Sequence, residues 1–206
     1  MPNRYSLILL FIILLLQGEN FIFGQQFSME CWHKGTVQLG DGTTVKGLLR
    51  YDLDNDVLRF AVKNKDYTFT ASTINSFFFT DFIDSTERSF ISFKYTTDHD
   101  YQSPMFFEYL SDGKVPLLCR EKIVFRAGGT MASSGFGGGG TRGLEYTFYV
   151  IDITGNVQML PSKKRKLVHV FRNKEEEMKK YLKENRFNLR NRQDIIDIFK
   201  YYYNLN

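Results

Sequence analysis

The sequence predicts a mainly β fold (α+β overall): an antiparallel curled sheet, sandwich or partly open barrel, followed by a C-terminal helical pair. Three observations support this prediction. Apolar and polar residues alternate along short segments, turn residues separate these segments, and the period becomes helical after Pro161. The 206 residues are enough for one domain with an appendage. An apolar share of 43% and only 2 cysteines exclude a disordered chain and a disulfide-dense scaffold.

Residues 1–24 are predicted to be a secretory signal peptide. A basic residue, Arg4, precedes an unbroken apolar run, Leu7–Leu16, and polar residues follow it. The run is shorter than the roughly 20 residues that a helix needs to cross a membrane, and Gly24 offers a small residue for cleavage. The alternative is an uncleaved anchor extended by residues 21–23. We expect cleavage, no transmembrane span afterwards, and a periplasmic, outer-membrane-associated or extracellular location.

The region 25–161 is predicted to be an antiparallel β domain. Alternation with period two gives each strand one dry face and one wetter face, which is typical of antiparallel sheets. Glycine and aspartate at 40–42 indicate a tight hairpin, because such a turn needs positive φ angles. Ten strands are predicted, at 36–39, 43–51, 57–62, 67–71, 74–79, 88–95, 105–110, 115–125, 144–151 and 157–160.

Residues 162–206 are predicted to form a basic helical appendage that packs on the sheet. Asn173 and Glu176 stand at capping-box spacing, so a first helix is expected to start at Asn173 and to end at Asn185. A second helix is expected to start at Asn191. Its apolar stripe consists of Ile195, Ile198, Phe199, Tyr202 and Tyr203.

The appendage is more basic than the rest of the chain. It contains 13 Lys+Arg and 6 Asp+Glu, which gives a net charge of 13 − 6 = +7. Such a charge suits an anionic membrane surface, a glycan or an envelope protein as partner. Nucleic acid is not expected, because export removes the chain from it.

The two cysteines, Cys31 and Cys119, allow two interpretations. An exported chain can keep a disulfide. Closing a loop of 119 − 31 = 88 residues would contribute about 4 kcal/mol in the chain-entropy model. Alternatively, Cys119 lies in an apolar strand pattern and is a buried free thiol. The sequence leaves both interpretations open.

The segment 127–143 contains eight glycines and is predicted to be a hairpin loop. It lacks the Lys-Ser/Thr pair of a phosphate-binding loop, and a strand pattern rather than a helix follows it. The loop is therefore a candidate contact surface, with Met131, Phe136 and Arg142 as its contact residues.

No catalytic residue, cofactor or metal site is predicted from motifs. No serine has the surroundings of a nucleophile elbow. Asp52, Asp54 and Asp56 resemble the start of a calcium loop, but Val57 stands where that loop needs glycine. The histidines lie far apart, without metalloprotease spacing, at His33, His99 and His169.

These observations favour an exported, non-enzymatic interaction or structural protein of the cell envelope. The alternative is a hydrolase whose catalytic groups come from distant segments and meet in the concave face of the sheet.

Three segments of the chain resemble exported β-rich proteins of Bacteroidota to which no activity is assigned. These segments are the strand and turn at 35–42, the apolar strand Phe106-Phe107-Glu108-Tyr109-Leu110, and the tail Tyr202-Tyr203-Asn204. The resemblance implies an envelope or secreted location. It carries no catalytic residue over to this chain.

Overall fold

A computed structural model describes residues 27–96, 101–126 and 140–205. The predicted signal peptide, His99 and the loop residues Met131 and Phe136 lie outside these ranges. No helix in the described ranges is both long enough and apolar enough to span a membrane.

Ten strands form one antiparallel sheet that does not close on itself, which confirms the predicted fold class. Their order along the sheet is β10, β9, β8, β7, β6, β5, β1, β2, β3, β4. The strands are β1 His33–Leu39, β2 Thr44–Asp52, β3 Val57–Val62, β4 Lys65–Thr70, β5 Ile74–Thr80, β6 Glu87–Thr96, β7 Gln102–Ser111, β8 Leu117–Arg126, β9 Thr141–Ile151 and β10 Val157–Met159.

The connection from β4 to β5 shows why the first half of the sheet curls. Three strands separate β4 from β5 in the sheet order, so the two would lie about 19 Å apart in a flat sheet. The chain from Thr70 to Ile74 can span at most about 14 Å. Strands β1 to β5 must therefore roll into a partly open barrel, and an aromatic core that includes Phe60, Phe77 and Phe90 fills it.

One row of directly paired residues crosses six strands and defines the inner face of the sheet. It runs through Val37, Phe77, Phe90, Glu108, Cys119 and Phe148. All six residues are buried. Glu108 is the only charged member of the row, so this carboxylate stands in an otherwise apolar layer.

Three helices follow the sheet: α1 Lys164–Leu167, α2 Glu175–Glu184 and α3 Arg192–Asn204. The Asn191 side chain accepts a hydrogen bond from Asp194 N at 3.0 Å, which confirms the predicted start of α3. The predicted end of α2 at Asn185 is also confirmed.

The predicted start of α2 at Asn173 was wrong. Lys174 precedes the helix, and no side chain caps this end. Phe171 is fully buried, and its carbonyl accepts from Lys174 N at 3.1 Å. The tight turn that results holds Asn173 at a φ of 63°, outside the conformation of an N-cap. Short helical turns at Ser28–Glu30 and Val168–Val170 were not predicted from the sequence either.

The helices pack on the inner face of β8 and β9. Their buried residues share one core with four sheet residues, Leu117, Cys119, Phe148 and Val150. From the helical side this core receives Leu167, Val168, Phe171, Met178, Leu182, Ile195, Ile198, Phe199 and Tyr202.

Candidate functional site

A cleft of about 590 Å³ opens where the C-terminal helices meet the end of the sheet. We call it the helix–sheet cleft. This volume lies in the range of small-molecule sites. The cleft is lined by residues 112–115 before β8, residues 150 and 151 at the end of β9, residues 152, 153, 158 and 161 around β10, residues 166, 169, 170 and 172–174 in and after α1, and residues 202, 203 and 205 at the end of α3.

The floor of the cleft is apolar and is held in place by Tyr203. Its hydroxyl donates to Val115 O at 2.6 Å and lies 3.3 Å from Ser111 Oγ. Burial raises the pKa of Tyr203 to about 12, so the phenol stays protonated and acts as a donor. Gly113 passes directly beside this ring, because a Cβ there would lie 2.5 Å from the ring. The β7–β8 loop and α3 are therefore closely fitted at this wall.

Cations surround this floor. Lys114, Lys166 and Arg172 are exposed and line the cleft, and none of them forms an ion pair with a carboxylate in the described ranges. Lys174 also lines the cleft, and its Nζ lies 3.7 Å from Glu177 Oε1. His169 Nδ1 lies 3.1 Å from a Glu175 carboxylate oxygen. Four cationic side chains therefore face the cavity, besides the histidine.

The cleft has two carboxylates, Asp112 and Asp152, against four cationic side chains. The Asp152 carboxylate accepts hydrogen bonds from Thr154, Asn156 and Gln158 within its own turn. The bonds from Thr154 and Asn156, with a smaller contribution from the charge of Arg172, hold the pKa of Asp152 below its usual value. The cleft thus keeps an excess of positive charge over an apolar floor, which suits an anion with an apolar part.

A second group of charges lies buried between the sheet and the start of α3. Arg88 donates to both carboxylate oxygens of Glu108 at 2.7 Å and to Glu121 Oε1 at 2.8 Å. Arg192 donates to Glu108 Oε1 at 2.8 Å. The side chains of Arg88, Glu108 and Glu121 are 9%, 2% and 5% exposed. Two arginines balance two glutamates here, so the arrangement is a structural ion-pair network.

A Ser–His–Asp cluster also occurs, but its hydrogen bonds do not suit nucleophilic catalysis. Phe82 N–H donates to His33 Nδ1 at 3.4 Å, so the ring proton lies on Nε2, which donates to Ser28 O at 2.8 Å. The Ser28 hydroxyl donates to Asp81. His33 therefore offers Ser28 no free nitrogen that could accept its proton. His33 and Asp81 are both buried, and the cluster fastens the N-terminal turn to the loop after β5.

Three residues that the sequence singled out do not line the helix–sheet cleft: Cys31, Cys119 and Arg142. Cys31 and Cys119 are both buried free thiols, so the disulfide interpretation does not hold in this structure. Cys119 belongs to the core under the helices, whereas the Cys31 thiol donates to Phe27 O.

Arg142 belongs to β9 rather than to the glycine-rich loop. It lies opposite Phe125 because β8 and β9 remain paired up to Arg126 and Thr141. Its guanidinium binds Glu30, and its Cζ lies 5.0 Å from the centre of the Phe27 ring. The contact role of Met131 and Phe136 stays a prediction.

No group of three or more His, Cys, Asp or Glu residues in the described part of the chain could hold a metal ion. Two of the three aspartates that resemble a calcium loop, Asp52 and Asp56, have partners within the protein instead. Asp52 accepts from Asn55, and Asp56 accepts from Tyr51 and Arg120.

Comparison of the chain with models of known protein families, with curated proteins and with solved structures found no match.

Proposed function

We propose that this is an exported, non-enzymatic binding protein of the cell envelope or extracellular space, and that the helix–sheet cleft is its ligand site. The observation that carries the proposal is the presence of Lys114, Lys166 and Arg172 around an apolar floor, with no ion pair to any carboxylate in the part of the chain that the structure describes. Export is supported by the apolar segment 7–16 that follows Arg4.

The class of ligand that fits this cleft is a small amphiphilic anion, with a carboxylate or phosphate head and an apolar chain. The head would be held by charge-assisted hydrogen bonds from the lysines and the arginine. The apolar chain of the ligand would cover Val115, Val170 and Leu205, which line the same cavity. Burying this surface supplies affinity that the charges alone would lack in water.

Calorimetric titration with dodecyl phosphate and dodecanoate, below their micelle concentrations, tests the proposal. We expect both ligands to bind, and inorganic phosphate and dodecanol each to bind more weakly. The variant with Lys166→Ala and Arg172→Ala should lose about tenfold in affinity, because two charge-assisted contacts disappear.

The matched control removes the same charge from the same appendage outside the cleft. Lys180 and Lys183 are exposed on α2 and do not line the cavity. The variant with Lys180→Ala and Lys183→Ala should bind as the unmodified protein does. Equal losses in the two double variants, or no binding of either amphiphile, would contradict the proposal.

A Ser–His–Asp hydrolase needs a histidine base for its serine, and His33 offers Ser28 no free nitrogen in the arrangement described above. A panel of ester, glycoside and peptide substrates tests it. Turnover that disappears in Ser28→Ala would favour the hydrolase over the binding protein.

A further inference from the structure

We infer that a second cleft, on the outer face of the curled half of the sheet, binds a uronate-containing polysaccharide. This outer cleft has a volume of about 840 Å³ and shares no lining residue with the helix–sheet cleft. Binding at the outer cleft can therefore be tested independently of binding at the helix–sheet cleft.

The outer cleft presents an aromatic platform. Phe77 and Phe79 are buried in the barrel, so Phe78 points to the opposite face, where its side chain is 54% exposed. Leu48, which is 44% exposed, lines the same cleft. An exposed ring on a rigid strand offers the flat apolar surface on which the C–H face of a sugar ring stacks.

The register of the strands places lysines near the exposed ring of Phe78. Thr36 pairs with Phe78 on one side and with Lys46 on the other, and Lys34 pairs with Leu48. Lys63 lines the cleft from the β3–β4 turn. None of these three lysines forms an ion pair with a carboxylate among the residues that the structure describes.

Two carboxylates of the same cleft distinguish a glycan from a nucleic acid. Asp66 and Glu87 line it and are exposed, and they too form no ion pair in the described ranges. A polyuronate carries one negative charge per residue, as a nucleic acid does, so hydroxyl groups rather than charge distinguish the two ligands. Asp66 and Glu87 can accept hydrogen bonds from hydroxyl groups, which a uronate chain carries on every ring and a DNA backbone lacks, while the lysines bind the uronate carboxylates.

Two glycines that line the cleft, Gly35 and Gly47, face each other across β1 and β2, and there is no room for a side chain at either. A Cβ at Gly35 would lie 2.4 Å from Phe78 O, and one at Gly47 would lie 2.7 Å from the Phe60 ring. Substitution there would disturb the barrel, so the test uses only exposed side chains.

Titration of the full-length protein with oligogalacturonate and with alginate oligosaccharides tests the inference. Methyl-esterified oligogalacturonate is the uncharged control ligand, and oligo-dT is the nucleic acid probe. We expect both uronate chains to bind, and esterification to abolish most of this affinity. Phe78→Ala and Lys46→Ala should each weaken binding about tenfold.

Two control variants remove equivalent side chains elsewhere. Phe125→Ala removes a ring that is 79% exposed and does not line the outer cleft, and Lys180→Ala removes a lysine of α2. Both should bind as the unmodified protein does. Absence of uronate binding, affinity unchanged in Phe78→Ala, equal binding of the esterified chain, or tighter binding of oligo-dT would each overturn the inference.

Discussion

Arg192, the first residue of α3, donates from Nη2 to Glu108 Oε1 of β7 at 2.8 Å, and thereby joins the last helix to the only charged residue in the inner-face row. The same helix ends in Tyr202 and Tyr203, which line the helix–sheet cleft. The ion pair at one end of α3 therefore helps to fix the wall of the cleft at the other end.

We expect Arg192→Met to lower the free energy of unfolding by about 1–2 kcal/mol, because Glu108 loses one partner while the Arg192 side chain is partly exposed. Lys200→Met, an exposed position on the same helix, is the matched control and should change stability little. Urea unfolding of both variants measures the difference. Equal stability of the two variants would show that the contact does not hold α3.

Arg88→Met should be more damaging, by about 3–5 kcal/mol, because it leaves two buried carboxylates without their shared partner. Adding Glu108→Gln and Glu121→Gln removes both buried carboxylate charges, of which only that of Glu108 keeps a partner, Arg192, so the triple variant should regain part of the loss. Urea unfolding of Arg88→Met and of the triple variant measures the difference in stability between them. A triple variant less stable than Arg88→Met would contradict the explanation by charge burial.

Stability should also depend on the titration of Glu121. Burial raises the pKa of Glu121, Arg88 opposes this effect and Glu108 adds to it. The folded protein thus binds this proton more tightly than the unfolded chain does. The stabilisation is complete below the unfolded pKa and is lost as pH rises through the folded pKa.

The difference in unfolding free energy, unmodified protein minus Glu121→Gln, should accordingly decrease over the pH interval that begins at about 4.5, the usual pKa of a glutamate side chain. Subtracting the variant cancels the other titrating groups. A difference that increases over this interval would mean that Arg88 outweighs burial and that the pKa is lowered.

Both thiols should be unreactive in the folded protein. Burial raises the pKa of Cys119 and of Cys31, which disfavours the thiolate that reacts. We expect thiol reagents to modify two cysteines in denaturant and to react slowly without it. A cross-linked peptide containing both cysteines, found in non-reducing digests of the native protein, would contradict the free-thiol structure.

Much of the fold was predictable because local patterns determine it. All ten strands were predicted, most of them with bounds shifted by a few residues, since alternation and turn residues mark them directly. Asn191 and Asn185 marked the ends of helices, because asparagine is common at N-caps and just after helix C-termini. The start of α2 was not predictable in this way, because the buried Phe171 determines the turn that precedes it.

The candidate site was not predictable, because register and docking create it. Lys114 and Lys166 are 52 positions apart and meet only when α1 packs beside the β7–β8 loop. For the buried ion network one signal was present in the sequence: Glu108 stands inside the apolar run Phe106–Leu110, in phase with Phe106. Its partners Arg88 and Arg192 could not be named before the strand register and the position of α3 were known.

Backbone amide chemical-shift mapping during titration with dodecyl phosphate tests the central claim most directly. We expect the largest shifts at residues 112–115, 150–153, 166–174 and 202–205, which come from four separate segments and meet only at the helix–sheet cleft. Shifts confined to other surfaces, or no shifts at saturating ligand, would contradict the assignment of this cleft as the binding site.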